Sequence, residues 1–244
     1  MKIYSKECFT KLPDAVLFDT DNTLYSYAPA HHAALLAVKS KIVSTFSFSP
    51  EDFDSAYQFA RQQVKSRLGN TASSHSRLLY LQRMLEMMGL GSQVLMALDF
   101  EQTYWRTFLS NATLFEGVKD LLDDFRRLRI PLAIITDLTA QIQFRKIVYF
   151  GLDHYFDYIV TSEEAGADKL GIAPYEIAIE KIRPQGNHIW MIGDDIVGDI
   201  KASKEAINSV TLLKSEKLNK HHNNGEADLV FEDYKDIIKL IRSI

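Results

Sequence analysis

Five short segments of this chain are apolar at almost every position, and helical patterns separate most of them. A strand that is apolar on both faces has to be covered on both sides, as happens when a parallel sheet lies between two layers of helices. The segments are residues 15–18, 131–136, 158–161, 188–192 and 210–213, the last of which is the final strand that the pattern predicts. The sequence therefore predicts an α/β fold with a doubly wound parallel sheet.

The alternation is interrupted between residue 26 and about residue 112, where no segment has the pattern of a strand. Ser49 followed by Pro50 and two acids predicts the start of a helix, and Gly69 predicts its end. Further helices are predicted at residues 30–46, 77–88 and 92–109, whereas residues 24–29 read as an irregular link. We expect residues 26–112 to form an α-helical cap domain, inserted into an α/β core domain of residues 1–25 and 113–244.

The composition excludes several classes of function for this chain of 244 residues. The formal net charge of −4 gives no electrostatic basis for binding nucleic acid or an anionic membrane. A single cysteine, Cys8, cannot form an internal disulfide, and no segment has the pattern of a signal peptide or a membrane span. We expect a cytoplasmic protein, a monomer or homodimer, with no nucleic-acid or membrane partner.

Polar side chains follow four of the predicted strands, and in a doubly wound sheet functional groups gather at the carboxyl ends of the strands. The first strand ends in Asp19 and Asp21, which point to the same side of an extended chain. An aspartate-rich turn is the alternative for this pair taken alone. The other strands are followed by Thr136 and Asp137, by Lys169, and by Asp194, Asp195 and Asp199.

The chemistry of this set of side chains indicates a metal site. Two carboxylates close together repel each other unless a cation lies between them. A site built only of oxygen ligands favours Mg²⁺, which keeps several waters and takes a further ligand from a phosphate. Lys169 would supply a second positive charge for a phosphorylated substrate.

The chain carries, in order, Asp19-Thr20-Asp21-Asn22-Thr23, Thr136, Lys169 and Gly193-Asp194 through Asp199. This set resembles the four motifs of the haloacid dehalogenase (HAD) superfamily. The helices predicted between the first and second motifs resemble the C1-type cap of its subfamily I. The resemblance implies that Asp19 is the nucleophile and Asp21 the general acid and base. It implies that Thr136, Asp137 and Lys169 bind the substrate phosphate. It also implies that Asp19, the backbone carbonyl of Asp21 and Asp194 bind Mg²⁺, with Asp199 or Asp195 in support.

The chain departs from the family pattern at three positions. Leu170 follows Lys169 where proline is common, Asp137 stands where asparagine or serine is commoner, and Gly198 precedes Asp199 where asparagine is frequent. The glycine leaves the metal role of Asp199 open, and no departure removes a catalytic group.

The favoured function is a Mg²⁺-dependent phosphatase acting on a small phosphomonoester, such as a sugar, nucleotide or hydroxy-acid phosphate. Asp21 argues against a dehalogenase, whose chemistry has no leaving oxygen to protonate. A phosphomutase is an alternative, for which Arg77 and Lys65 are the candidate cap groups, although both are interpreted as ordinary surface charges. The second alternative is a non-catalytic binding or regulatory protein that keeps the fold.

Substrate choice is expected to lie in the cap, because the motifs of the core contact only the phosphate. The candidate segments are residues 24–29 and the polar loop of residues 69–76. Residues 221–224, with two histidines, are predicted to form a solvated loop and not a metal site.

Overall fold

The computed structural model describes residues 1–215 and 225–244, so the predicted loop at 221–224 lies outside the described residues. The described chain divides into two compact units, Met1–Ser26 with Thr113–Ile244, and Tyr27–Ala112. We call the second the helical unit and the first the α/β unit. Among the helices of these described ranges, none combines the length and the hydrophobicity that a membrane span requires.

The helical unit contains four α-helices. They are α1 (Tyr27–Phe46), α2 (Pro50–Leu68), α3 (Arg77–Met87) and α4 (Val94–Asn111). Helix α2 begins as predicted: the side chain of Ser49 accepts a hydrogen bond from the backbone N–H of Asp52 (3.0 Å), and Asp52 accepts one from the N–H of Ser49 (3.2 Å). This reciprocal pair satisfies two N–H groups that the first turn leaves without helical partners.

The structure corrects the prediction for the segments beside these helices. Helix α1 begins at Tyr27, so residues 27–29 are helical and the irregular link is shorter than predicted. The polar loop at residues 69–76 contains a turn of 3₁₀ helix, Ala72–His75, in which Ala72 and Ser74 are buried. This turn was not predicted from the sequence, because hydroxyl-rich segments also form ordinary solvent-facing loops.

The described residues of the α/β unit form one sheet of seven strands in the spatial order β1-β7-β6-β5-β2-β3-β4. The strands are β1 (Lys2–Ile3), β2 (Ala15–Phe18), β3 (Leu132–Thr136), β4 (Tyr158–Thr161), β5 (Ile189–Gly193), β6 (Val210–Lys214) and β7 (Leu229–Phe231). All neighbours are parallel except β1 and β7. The prediction of an α/β fold with a doubly wound parallel sheet is confirmed.

Two strands were not predicted from the sequence, and the expectation that residues 210–213 form the final strand was wrong. Strand β7 follows it, and β1 lies at the edge of the sheet beside β7. Strands of two and three residues are too short to have a recognisable pattern.

Six α-helices accompany this sheet in the part of the chain that the structure describes. They are α5 (Val118–Arg127), α6 (Ala140–Tyr149), α7 (Ser162–Ala165), α8 (Ala173–Ile182), α9 (Ala202–Ile207) and α10 (Tyr234–Ser243). A π-helical turn, Ile196–Lys201, lies between β5 and α9. The N–H groups of Asp199 and Ile200 both donate to the carbonyl of Asp195 (2.9 and 3.1 Å). This wider turn carries Asp199, which is fully buried.

Candidate active site

Asp19 lies where β2 ends, in the middle of the sheet between β5 and β3. Its N–H donates to the carbonyl of Ile192 on β5 (2.9 Å), so its backbone is still part of the sheet. The residue is only 4% exposed, and Thr23 donates a hydrogen bond to Oδ2 (2.9 Å). The chain turns at once after Asp21, because Asn22 has a left-handed conformation (φ 60°).

Lys169 joins two of the predicted acids. Its Nζ lies 2.5 Å from Oδ1 of Asp19 and 2.7 Å from Oδ1 of Asp199, and all three side chains are almost completely buried. Burial opposes the charge of Lys169, but the two carboxylates outweigh it and raise the pKa of the lysine. Lys169 is therefore a permanent cation beside the carboxylate of Asp19.

Asp19, Asp194 and Asp199 form an acidic cluster in which one oxygen of each lies within 4.8 Å of the others. Burial raises the pKa of Asp19, and burial together with the charge of Asp199 raises the pKa of Asp194 to about 7. Lys169 contacts Asp19 and Asp199, so a single cation serves three carboxyl groups that repel one another when ionised. A small divalent cation with oxygen ligands fits this donor set and this charge.

Asp199 holds the loop that follows β5. Its Oδ2 accepts hydrogen bonds from the N–H groups of Asp194 (3.1 Å) and Asp195 (3.0 Å). Gly193 allows this close approach, because a Cβ at that position would lie 2.3 Å from the same oxygen. Asp195 is exposed, and its Oδ1 accepts from the N–H of Val197 (2.8 Å), so it caps the following turn outside the acidic cluster.

Thr136 and Asp137 lie at the end of β3, next to β2 in the sheet. The hydroxyl of Thr136 is 2.7 Å from that of Thr20, and Gln143 donates to it (2.8 Å). Because Gln143 Nε2 is a donor, Thr136 accepts that bond and keeps its own proton for another oxygen. The carboxylate of Asp137 accepts a hydrogen bond from the backbone N–H of Lys169 (3.0 Å), which ties the lysine loop to β3.

Asp21 is held by residues that the sequence analysis did not single out for this role. Lys146 donates to both of its oxygens (2.8 and 3.2 Å), and the hydroxyl of Tyr25 donates to Oδ1 in a short hydrogen bond. Lys146 is 2% exposed, whereas the side chain of Asp21 is 35% exposed. A fixed but reachable carboxylate is the arrangement that proton transfer to a substrate requires.

Gln143 and Lys146 were missed by the sequence analysis, and both lie on helix α6. Its buried face consists of Ile142, Gln143, Lys146 and Ile147, so two polar residues lie among the apolar ones. The spacing of three residues that places them on one side of a helix is visible in the sequence. Polar residues within the apolar stripe of a helix could thus have identified these two positions from the sequence.

Comparison with known proteins identifies relatives of this chain. The family model for haloacid dehalogenase-like hydrolase matches residues 13–206. The chain is 34% identical over 200 residues to ribulose-1,5-bisphosphate 5-phosphatase of Halopiger xanaduensis, covering 82% of this chain and 83% of the relative. It is 26% identical over 202 residues to glyceraldehyde 3-phosphate phosphatase of Methanothermobacter thermautotrophicus, covering 83% and 86%.

Among solved structures, 2-haloacid dehalogenase from Pseudomonas syringae has a similar fold. The TM-score is 0.76 at 17% sequence identity, over 95% of this chain and 99% of that one. At this identity the likeness concerns the fold alone, since the same fold supports different reactions.

Proposed function

Because the chain belongs to the haloacid dehalogenase-like hydrolase family, we propose that it is a Mg²⁺-dependent phosphatase that hydrolyses a small phosphorylated metabolite through an aspartyl-phosphate. The observation that carries the proposal is the contact of Lys169 with the buried carboxylate of Asp19. A buried acid with a fixed cation beside it can accept a phosphoryl group whose charge would otherwise be repelled. The relatives reported above are named as phosphatases, which supports the same reaction.

In the first half-reaction an oxygen of Asp19 attacks phosphorus, and the bond from phosphorus to the leaving oxygen breaks. Asp21 gives its proton to that leaving oxygen, so the product departs as an alcohol. Lys169 and the hydroxyl of Thr136 bind the non-bridging oxygens of the transferring group. Forming a covalent intermediate splits one difficult displacement into two easier ones.

In the second half-reaction Asp21, now ionised, takes a proton from water. The water oxygen attacks phosphorus, the bond to Asp19 breaks, and inorganic phosphate leaves. The same carboxylate therefore acts first as acid and then as base, as general acid–base catalysis allows. Lys146 and Tyr25 are positioning residues in this scheme, because they hold the side chain of Asp21.

The acidic cluster is the proposed place of the metal ion. Asp19, Asp194 and the backbone carbonyl of Asp21 would hold Mg²⁺, with Asp199 in support because its oxygens already hold Lys169 and the loop after β5. When bound, the ion supplies positive charge that lets a phosphate dianion approach the carboxylates. We assign Asp195 to the capping of the next turn, outside the metal site.

The proposed role of Asp137 is narrower than binding phosphate with its side chain. A carboxylate repels a phosphate dianion, and this one accepts a hydrogen bond from the N–H of Lys169. We propose that Asp137 places the lysine that binds the phosphate.

The relatives that act, by name, on ribulose-1,5-bisphosphate and glyceraldehyde 3-phosphate support a sugar phosphate as substrate. We keep the segments 24–29 and 69–76 as the proposed determinants of substrate choice. A cytoplasmic location, a monomer or homodimer, and the absence of a nucleic-acid partner stay predictions.

The test is a screen of phosphomonoesters with the purified protein, with and without Mg²⁺. We expect release of inorganic phosphate from p-nitrophenyl phosphate and from at least one sugar phosphate, and no release in excess chelator. Stoichiometric conversion of a sugar phosphate to its isomer without free phosphate would identify a phosphomutase. Failure with every ester would favour a non-catalytic binding protein.

A further inference from the structure

The amide of Gln143 lies beside the hydroxyl that is proposed to bind the transferring phosphoryl group. Gln143 belongs to the buried face of α6, and only 1% of the residue is exposed. Its Nε2 donates two hydrogen bonds, one to the hydroxyl of Thr136 (2.8 Å) and one to the backbone carbonyl of Asp137 (2.6 Å). The mechanism described above uses the hydroxyl of Thr136 and gives Gln143 no part.

The carbonyl of Asp137 determines which end of the amide faces Thr136. A carbonyl oxygen can only accept a hydrogen bond, so it attracts Nε2 and would repel Oε1. Turning the amide over would bring Oε1 of Gln143 against this carbonyl. Nε2 is therefore fixed as a donor to Thr136.

The other end of the amide is not used by the fold. Oε1 of Gln143 is buried and accepts no hydrogen bond from the residues that the structure describes. Buried polar atoms are nearly always paired, and an unpaired one opposes folding. An apolar side chain of the same length would fill this place without that cost, so the stability of the fold does not account for a glutamine here.

The hydroxyl of Thr136 is left as a donor. A hydroxyl has one proton and can accept two hydrogen bonds, and one of these comes from Gln143. The hydroxyl of Thr20 lies 2.7 Å from that of Thr136 and 3.4 Å from Oδ1 of Asp21. If Thr20 donates to Thr136, the proton of Thr136 is left for a substrate oxygen. If Thr20 donates to Asp21, Thr136 donates to Thr20 until a substrate oxygen replaces it.

The carbonyl of Asp137 is a competing acceptor for the same proton. It lies 3.5 Å from the hydroxyl of Thr136, at the outer limit of a hydrogen bond. Gln143 occupies this carbonyl at 2.6 Å. Without Gln143, the carbonyl would be left to accept the proton of Thr136 and turn it away from a bound phosphoryl group.

We propose that Gln143 is a positioning residue that directs the hydroxyl proton of Thr136 toward a non-bridging oxygen of the phosphoryl group. Gln143 donates to the hydroxyl and also occupies the carbonyl that competes for its proton. The inference rests on the proposed phosphatase function and adds a residue to its phosphate-binding side. A donor that is oriented in advance needs no reorganisation when charge develops on the phosphoryl oxygens.

The test is a double-mutant cycle of Gln143→Met and Thr136→Val, with kcat/KM measured for p-nitrophenyl phosphate and for an alkyl phosphate. Thr136→Val removes the hydroxyl and should lower kcat/KM on the order of 100-fold, the range for one lost donor to a developing charge. Gln143→Met should lower it about 5- to 10-fold, the range for one neutral hydrogen bond. The two esters should lose alike, because both carry the same phosphoryl group.

The fourth member of the cycle decides whether Gln143 acts through Thr136. In the Thr136→Val background, Gln143→Met should change kcat/KM by less than about twofold, since no hydroxyl is left to direct. A further loss in that background as large as in the wild-type background would overturn the proposal. So would an unchanged kcat/KM in Gln143→Met alone.

Gln141→Met is the matched control, because it makes the same substitution on the exposed side of α6. It should leave kcat/KM unchanged for both esters. Gln143→Met should melt close to the wild-type temperature, because it removes the unpaired Oε1 together with the donor. If it does not fold, Gln143→Asn replaces it in the cycle, since that amide is one methylene too short to reach Thr136. Activity that fell only in step with the melting temperature would show a structural role and overturn the proposal.

A second arm measures binding without turnover. Inorganic phosphate is titrated calorimetrically, in the presence of Mg²⁺, into the four proteins of the cycle. We expect Gln143→Met to weaken phosphate binding about 5- to 10-fold in the wild-type background and not in the Thr136→Val background. This pattern in a wild type that hydrolyses no ester would reject the phosphatase function and keep the role of Gln143. Hydrolysis by the wild type, with phosphate binding that Gln143→Met leaves unchanged, would reject the role of Gln143 and keep the phosphatase.

Discussion

The ammonium group of Lys146 lies 2.8 Å from Oδ1 of Asp21, although 125 residues separate the two in the chain. Helix α6 brings the lysine to this place, and β3 lies beside β2, after which Asp21 follows. The contact also bears on the proton transfer. Because Lys146 donates to both oxygens of Asp21, it fixes the side chain that the proposed mechanism uses first as acid and then as base.

Lys146→Met should lower the rate by an amount that depends on the leaving group of the substrate. For an alkyl phosphate, which needs a proton on its leaving oxygen, we expect kcat to fall about 10- to 100-fold because Asp21 is no longer held. For p-nitrophenyl phosphate, whose leaving group needs no proton, the loss in the first half-reaction should be small. The measurement is single-turnover kinetics with both esters.

Arg145→Met is the control for Lys146→Met, because it removes a cation from the exposed side of the same helix. It should change neither rate. An equal loss for both esters in Lys146→Met would mean that Lys146 only supports the fold.

The neighbours Asp194 and Asp195 should differ in their effect on Mg²⁺. Asp194 belongs to the acidic cluster, whereas Asp195 is exposed and caps the turn at Val197. We expect Asp194→Asn to weaken Mg²⁺ binding at least about tenfold, the usual lower range for a changed metal ligand or its support. Asp195→Asn should leave it within about twofold, measured by calorimetric titration. Equal weakening in both variants would contradict the assignment.

Gly193→Ala should disturb the active site by displacing the side chain of Asp199. The new Cβ would lie 2.3–2.5 Å from the side-chain atoms of Asp199, which is fully buried and cannot move aside freely. We expect a loss of folding stability of about 1–3 kcal/mol and a large loss of activity. Thermal melting measures the first, and release of phosphate measures the second. Gly171→Ala is the control, because its nearest neighbour would be at 3.7 Å, an ordinary contact. If both variants behaved like wild type, the close packing of Gly193 on Asp199 would be refuted.

His31 should make the protein less stable as the pH falls. Its pKa is lowered to about 4 in the folded state, against about 6.5 in an unfolded chain. Between these values the unfolded chain binds a proton and the folded one does not, so stability is lost as the pH falls through 6.5 towards 4. The loss of folding stability caused by His31 is on the order of 1 kcal/mol at pH 5, after a discount for the partial exposure of the ring.

Chemical denaturation at pH 7 and pH 5 measures this loss. His31→Gln should lose less stability than wild type between the two values, whereas His154→Gln, which changes an exposed histidine, should lose as much as wild type. A His31→Gln variant with the full loss of wild type would show that another group is responsible.

The fold was predictable because its main strands are apolar throughout and its helices carry clear start and stop residues, such as Ser49 with Pro50. The acids at the strand ends were predictable because topology alone brings them to one edge of a parallel sheet. Lys146 and Gln143 could not be assigned in this way. Their roles depend on which face of a helix is buried and on what that face contacts, and a local pattern does not contain the contact.

The central claim is that Asp19 becomes phosphorylated and that Asp21 then activates water. The most direct measurement mixes Asp21→Asn with p-nitrophenyl phosphate, quenches the reaction rapidly, and determines nitrophenol release together with the mass of the protein. The account predicts a burst of one nitrophenol per protein, one phosphoryl group on Asp19, and then very slow turnover, because the base is missing. Continued turnover at the wild-type rate, or nitrophenol release with no phosphoryl group on Asp19, would contradict it.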